Sequence, residues 1–287
     1  MSWLYSVPIL GAIALSTGTI LEKIILRNKK VNIKLYQTAG FLAIVLAMIP
    51  FLWFFWKVDP LALNPRNIFI FLLVIGFSLL ANLFTFYSMK WEKISNLEPA
   101  KILEPLFTII FAIFFSFIFG EILYERNLNI IIPALIAGVA LIFSHVKKHH
   151  LSFNKYFNAA VLGSIFFALE LTISRLILDL YSPISFYFIR CSAIFLISFI
   201  AFRPNFKKLN TKLRWTVLGT GALWVLYRIM VYYGYLELGI IFTTLVIMLG
   251  PIFIYLFAWK FLKEKLEWRN IVAAGIIVAS VLYAILV

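Results

Sequence analysis

Cysteine is nearly absent. Cys191 stands alone in 287 residues, which excludes an intrachain disulfide framework and any cysteine-built metal centre. Histidine is almost as scarce: His145, His149 and His150 are the whole complement. They share one basic helix end with no carboxylate close in sequence, which reads as a solvated turn and not as a metal site. Acidic residues number 12 against 26 lysines and arginines, for a formal net charge of +14. Charged residues of both signs amount to 13% of the chain, and no polar stretch is long enough to form a separate soluble domain. A Walker A loop is missing as well. Nothing in the sequence requires a cofactor, and any driving force for work must come from a gradient or from another chain.

What is present is apolar length. Hydrophobic residues make up 63% of the chain, and runs of roughly 20 apolar residues fall at 2–26, 34–56, 67–90, 94–119, 128–146, 156–178, 183–202, 213–236, 240–262 and 268–287. The runs are continuous and do not alternate, so a β-barrel is excluded and the expected fold class is all-α transmembrane, with ten helices. The first span has no basic residue before it, unlike a cleavable signal peptide, and is expected to be retained. Basic residues do not gather as a nucleic-acid-binding face would require. They collect in alternate loops: Arg27, Lys29, Lys30 and Lys34; Lys90 and Lys93; Lys147, Lys148 and Lys155; Arg203, Lys207, Lys208, Lys212 and Arg214; Lys260, Lys263, Lys265 and Arg269. The intervening loops hold only Lys57, Arg66 and Arg126. The positive-inside rule makes the crowded side cytoplasmic, so a multi-pass protein of the cell membrane with both termini non-cytoplasmic is expected.

The chain also repeats itself. Tyr87 to Asn96, then Glu104-Pro105 and an aliphatic-aromatic run to Gly120-Glu121, recurs as Tyr233 to Phe242, Gly250-Pro251 and a run to Lys263-Glu264. Each copy ends with Arg-Asn, at Arg126-Asn127 and Arg269-Asn270, before a last apolar span. A polar linker at 147–152 separates five spans from five. An odd number of spans per unit forces the second unit to enter the membrane from the opposite side. The expectation is two inverted repeats, at 1–148 and 152–287, which can exchange conformations to give alternating access.

The run Tyr87…Ser95-Asn96…Leu103-Glu104-Pro105-Leu106-Phe107 to Gly120-Glu121, with its echo in the second half, resembles the paired EamA repeats of the drug/metabolite transporter superfamily. Ser182-Pro183 followed by Arg190, and Ser174-Arg175, fit the same pattern. The resemblance implies a ten-helix carrier of small metabolites such as amino acids or sugars, with a central cavity lined by both halves. Export is a tendency of that family. The chain departs from it in carrying Glu98-Pro99 and Lys101 where small or apolar residues are usual, and Gly250 where the first half has Glu104.

Ionisable groups at membrane depth cost about 2.5–3.5 kcal/mol each on insertion scales, so each needs a partner, a wet cavity or a role. Glu104, Glu170 and Arg228 all fall near the middle of their spans, and Arg190 about seven residues into span seven. Glu98, Lys101 and Glu104 share one helical stripe. Pro99, Pro105 and Pro251 each remove a backbone hydrogen bond and are expected to kink their helices and mark gating points beside a cavity between spans four and nine. One reading has Lys101 and Arg228 meeting the anionic end of a solute while Glu104 or Glu170 meets a cationic end or takes a coupling proton. The other has structural pairs, Glu98 with Lys101 and Glu170 with Arg228, and Arg190 pinning span seven. Asn82 occupies in the first copy the place of Arg228 in the second. Trp224 and Tyr227 stand beside Arg228 as candidate stacking walls. Ser16, Thr17, Gly18 and Thr19 form a small polar segment that suits either close helix packing or a gate.

These residues predict a secondary transporter with a small-molecule substrate, embedded in a lipid bilayer as a monomer or homodimer and drawing on a proton or solute gradient, without nucleic acid. A flippase for a lipid-linked headgroup is the alternative. No nucleophile with a paired base stands at membrane depth, so an enzyme is not expected.

Overall fold

The computed structural model describes residues 6–92, 94–120, 123–145, 154–253 and 268–287. The linker at 147–152, His149, His150, Lys93, Glu121 and Lys260 to Glu264 therefore lie outside the described residues, as does the side chain of Glu98. Eleven α-helices are designated in chain order: α1 (Ser6–Arg27), α2 (Ile33–Phe55), α3 (Pro65–Trp91), α4 (Ile94–Lys101), α5 (Leu103–Phe119), α6 (Leu128–His145), α7 (Lys155–Ser174), α8 (Pro183–Phe202), α9 (Thr211–Glu237), α10 (Ile240–Ile247) and α11 (Trp268–Leu286). Among the described residues the one β feature is an isolated bridge between Val58 and Tyr181.

The helices form because the apolar runs leave the backbone no other way to satisfy itself in lipid. Their starts are set by short polar side chains. Asn32 accepts the Leu35 N–H at 2.7 Å, Asn154 that of Phe157 at 2.8 Å, and Asn210 that of Leu213 at 2.9 Å. Ser182 does the same for Ser185 at 3.1 Å, with Pro183 in the first helical position where no N–H is needed. Among the described residues seven helices are long and apolar enough to cross a membrane: Val7–Arg27, Ile33–Phe55, Pro65–Trp91, Pro99–Phe119, Lys155–Ser174, Pro183–Phe202 and Trp268–Leu286. Leu128–Ser144 and Ile240–Phe253 are shorter apolar helices. The α9 helix has 27 residues but is less apolar, because Thr220, Trp224, Tyr227 and Arg228 serve an interior cavity. Large apolar side chains face outward, Trp53 at 90% and Phe54 at 77% exposure among them, as expected when the solvent is hydrocarbon.

Loop contacts define two faces. On the basic face, Lys90 of α3 donates to the carbonyls of Leu26, Asn28 and Val31 at 2.7, 2.9 and 2.7 Å, capping the end of α1. Lys23 of α1 in turn donates to the carbonyls of Met89 and Glu92 at the end of α3. Asn154, at the start of α7, donates to Glu92 at 3.1 Å. On the opposite face, Asp59 N–H donates to Leu180 O at 2.8 Å and Ser182 N–H to Lys57 O at 3.0 Å. Thus α1 and α3 end on the basic face, where α7 begins.

Two expectations change. Span six stops at Ser174 and not at 178, because the chain turns there through a short 3-10 segment, Leu178–Leu180, to meet the 57–59 loop. Pro99 does not interrupt α4; the break falls at Ile102, one turn before Pro105. Its counterpart falls after Ile247, just ahead of Pro251, where α10 stops. In both places the proline withholds the N–H that would have continued the helix.

The helices pair as α1 with α9, α3 with α7, α2 with α8 and α9, and α6 with α11. The backbones of α2 and α9 approach closely at Gly221 of α9, where a Cβ would lie 2.8 Å from the backbone carbon of Ala43 in α2. Gly221→Ala is therefore expected to lower thermal stability by about 1–3 kcal/mol through overpacking. Gly219→Ala, which would meet nothing within 4 Å, should leave the unfolding midpoint in detergent unchanged or raised. Equal midpoints for the two variants would contradict the tight α2–α9 contact.

Candidate functional site

A cavity of about 240 Å³ lies inside the helix bundle. Its wall draws on both halves of the chain: Ser16, Thr19 and Glu22 from α1, Tyr36 from α2, Asn82 and Thr85 from α3, and Lys101, Glu104, Pro105 and Thr108 from α4 and α5. The second half adds Ser164 and Phe167 from α7, Tyr187 and Arg190 from α8, Thr220, Trp224, Tyr227, Arg228 and Tyr235 from α9, then Thr244, Gly250 and Pro251. Helix breaks flank it on two sides, at Ile102 and after Ile247. Polar backbone exposed by those breaks can be tolerated at this depth because protein and cavity cover it.

Two serines meet the broken helices in matching ways. Ser16 Oγ donates to Gly250 O at 3.1 Å and also to Ala12 O at 2.9 Å. Ser164 Oγ donates to Ala100 O at 2.9 Å. One serine comes from the first helix of the first half and one from the first helix of the second. The segment Ser16 to Thr19 is thus a packing element at Ser16 and part of the cavity wall at Thr19.

Charge is concentrated at Glu170, which is fully buried (0% exposed) and stands behind the wall. Its Oε1 accepts from Arg190 Nη1 and from the Tyr232 hydroxyl, the latter at 2.9 Å. Arg190 also donates to the Tyr232 oxygen, and its guanidinium lies 4.7 Å from the Tyr187 ring centre. Arg228 Nη1 lies 3.4 Å from Glu170 Oε2, yet neither atom has a hydrogen bond of good geometry. The Arg228 guanidinium is 5.4 Å from the ring centres of both Phe167 and Tyr227. Arg228 is 4% exposed, so a buried cation on the cavity wall keeps an unspent donor, a situation that costs free energy unless a partner arrives.

The remaining candidates are placed as follows. Asn82 reaches the wall while its Nδ2 donates to Ser78 O at 2.7 Å. Lys101 Nζ lies 3.0 Å from Met89 Sδ, and Glu104 lines the cavity on the next turn. Trp224 meets Tyr227 edge-on, with ring centres 5.6 Å apart. Glu170 and Pro99 are not among the lining residues. Arg190, expected from the sequence as a structural anchor, both pairs with Glu170 and reaches the wall.

Sequence reasoning did not single out Glu22 and Tyr36. Glu22 is 3% exposed and accepts from the Tyr36 hydroxyl at 3.4 Å near the basic-face end of the cavity. Ser16, Thr19 and Glu22 recur every third residue, and that stripe was the available signal. Among the described residues no three metal-ligating side chains converge.

Residues 155–286 match the model of the EamA-like transporter family. No curated protein matches the chain. A solved structure described as "Crystal structure of protein" superposes with a TM-score of 0.73 over 100% of this chain and 97% of its own, at 16% identity. At that identity the likeness is one of fold.

Proposed function

We propose, from the match of residues 155–286 to the EamA-like transporter family of the drug/metabolite transporter superfamily, that the protein is a secondary transporter. It moves a small polar or amphipathic metabolite, such as an amino acid, across the cell membrane by alternating access. The observation that carries the reading is Arg228: a buried guanidinium on the wall of an intramembrane cavity, whose Nη1 stands 3.4 Å from Glu170 but makes no hydrogen bond. Lys101 and Arg228 receive the anionic end of the solute, with Asn82, Trp224 and Tyr227 shaping its pocket. Glu104 receives a cationic group or the coupling proton. Glu170 is the weaker coupling candidate because it stands behind the wall, held by Arg190 and Tyr232.

The ten spans are read as two inverted five-helix repeats. Support comes from the pairing of α1 with α9 and of α7 with α3, which interchange when the halves are exchanged. The serine contacts Ser16 to Gly250 and Ser164 to Ala100 interchange in the same way. Breaks in α4–α5 and α10 are the hinges, as in other inverted-repeat carriers whose sites form at discontinuous helices. The basic face is assigned to the cytoplasm, with both termini on the other side, and net movement is assigned outward.

Flux in proteoliposomes tests the proposal. Lys101→Ala, Glu104→Gln and Arg228→Ala should each reduce transport of a responsive solute at least about tenfold while leaving folded yield near that of the parent. A tenfold loss corresponds to about 1.4 kcal/mol. Undiminished flux in all three would remove the cavity from the transport path. A thermal-shift screen of amino acids, sugars, nucleotides and organic cations supplies the solute: at a hundred times its dissociation constant, a bound ligand stabilises the fold by about 2.7 kcal/mol.

A further inference from the structure

Apart from Lys155 and Arg269, which stack on aromatic rings, the described lysines and arginines of the basic face include two distinct groups. Lys23 and Lys90 are consumed in capping helix ends, as described above. The other group occupies two loops and is left outward. From the α1–α2 connection come Arg27, Lys29, Lys30 and Lys34, all exposed. From the α8–α9 connection come Arg203, Lys207, Lys208, Lys212 and Arg214, also exposed. No acidic residue occurs between Glu22 and Asp59, or between Asp179 and Glu237. Among the described residues none of the nine is paired with a carboxylate.

The two loops are one surface. Leu209 is buried in the same apolar cluster as Val31 and Leu35, and the Lys34 ammonium sits 5.7 Å from the Phe202 ring centre at the end of α8. The starts of α2 and α9 and the ends of α1 and α8 all meet here, so the helix dipoles offset one another and the positive potential comes from the nine side chains. Trp215, one residue beyond Arg214, is 68% exposed and marks the depth at which amphipathic rings meet the headgroup layer. The opposite face is different in kind: Lys57, Arg66 and Arg126 there are interspersed with Asp59, Glu125, Asp179 and Glu237.

We infer that the paired 27–34 and 203–214 loops form a docking surface for anionic phospholipid headgroups of the adjoining leaflet. Phosphodiesters match the chemistry: they are anionic, they accept hydrogen bonds from lysine and arginine, and they lie within a Debye length, about 8–10 Å, of charges at the ends of membrane helices. A soluble acidic protein would also satisfy the charge. The exposed Trp215 at the loop's edge favours the lipid, since it places the surface at the headgroup layer.

The test uses the full chain in phosphatidylcholine vesicles, with quenching of tryptophan fluorescence by brominated phosphatidylglycerol or brominated phosphatidylcholine. The Trp215 contribution is obtained by difference from Trp215→Phe. The expected result is an apparent preference for the anionic lipid of at least about tenfold, collapsing as salt rises from about 0.05 M to about 0.5 M. The combined variant Lys207→Gln, Lys208→Gln, Lys212→Gln and Arg214→Gln should abolish the preference. So should the separate set Lys29→Gln, Lys30→Gln and Lys34→Gln, which guards against misfolding of either variant. Lys57→Gln with Arg66→Gln should leave it intact. Equal quenching by both lipids on the parent chain overturns the inference, as does a preference that survives both neutralised sets. So does a parent chain that shows no lipid preference but binds polyglutamate with salt dependence, which assigns the surface to an acidic protein. Because binding is read without transport, failure here is distinct from failure of the carrier reading.

Discussion

Glu170→Ala is expected to destabilise the protein by about 3–5 kcal/mol and to remove most folded material from a detergent extract. The carboxylate is the common acceptor for Arg190, Tyr232 and, at 3.4 Å, Arg228. Deleting it leaves two guanidiniums, 2% and 4% exposed, without the carboxylate between them in a low-dielectric interior. Breaking a buried pair from one side carries a penalty of that size because the abandoned charge cannot be rehydrated. Arg190→Ala should cost nearly as much, since Arg228 alone does not make a well-oriented hydrogen bond to Glu170. Arg228→Ala is expected to be mild for stability, because it removes the least satisfied charge and leaves the Glu170–Arg190–Tyr232 unit whole. Thermal unfolding of the three purified variants decides the matter. Equal midpoints for Glu170→Ala and Arg228→Ala would show that the two residues do not divide between structural and solute-facing roles.

That division also shows where reading a membrane sequence stops. Helix positions were legible because continuous apolar runs permit one backbone solution in lipid, and α2, α5 and α8 begin or end within a residue or two of their expected bounds. Counting residues from the span ends puts Glu170 and Arg228 at one level, and the two stand 3.4 Å apart. Azimuth was not legible, because each helix's rotation is set by packing against neighbours distant in sequence. Glu170 could therefore be assigned a depth but not its place behind the wall, held by an arginine and a tyrosine from two other helices. The same limit applies to Glu22, whose importance depends on Tyr36 and on the cavity that both line. Pro99 and Pro105 looked equivalent in sequence. Only the second interrupts its helix, and Ser164 from another helix then satisfies the carbonyl of Ala100, a contact between residues 64 positions apart.

On the face opposite the basic one, stability is expected to fall as pH rises, through Glu125. This residue follows α5, outside the membrane-spanning segments, and its Oε2 accepts the Ile241 N–H at 2.8 Å at the start of α10. Gly239 adopts φ +85°, and a Cβ there would overlap the Glu125 carboxylate. Beside it, the Tyr124 hydroxyl donates to Thr172 O at 2.8 Å, joining the same loop to the end of α7. Burial pushes the Glu125 carboxyl up from its ordinary 4.5 to about 7, against smaller opposing contributions from backbone donors at Ile241 and Phe242 and from the Arg175 charge. Arg175 is itself paired with Asp179. Separating the loop from α10, by opening or by unfolding, returns Glu125 to water and to its ordinary value. Between those two values the joined state holds more protons than the separated one, so its stability is complete below about pH 4.5 and is lost as pH rises through about 7. The difference between those two values corresponds to about 3 kcal/mol. The wild-type unfolding midpoint should therefore drop between about pH 5 and pH 8 by more than that of Glu125→Gln, whose amide keeps an acceptor for Ile241 and carries no charge. Parallel pH profiles for the two proteins would mean that the carboxylate already reaches water in the joined state and contributes nothing to holding the loop on α10.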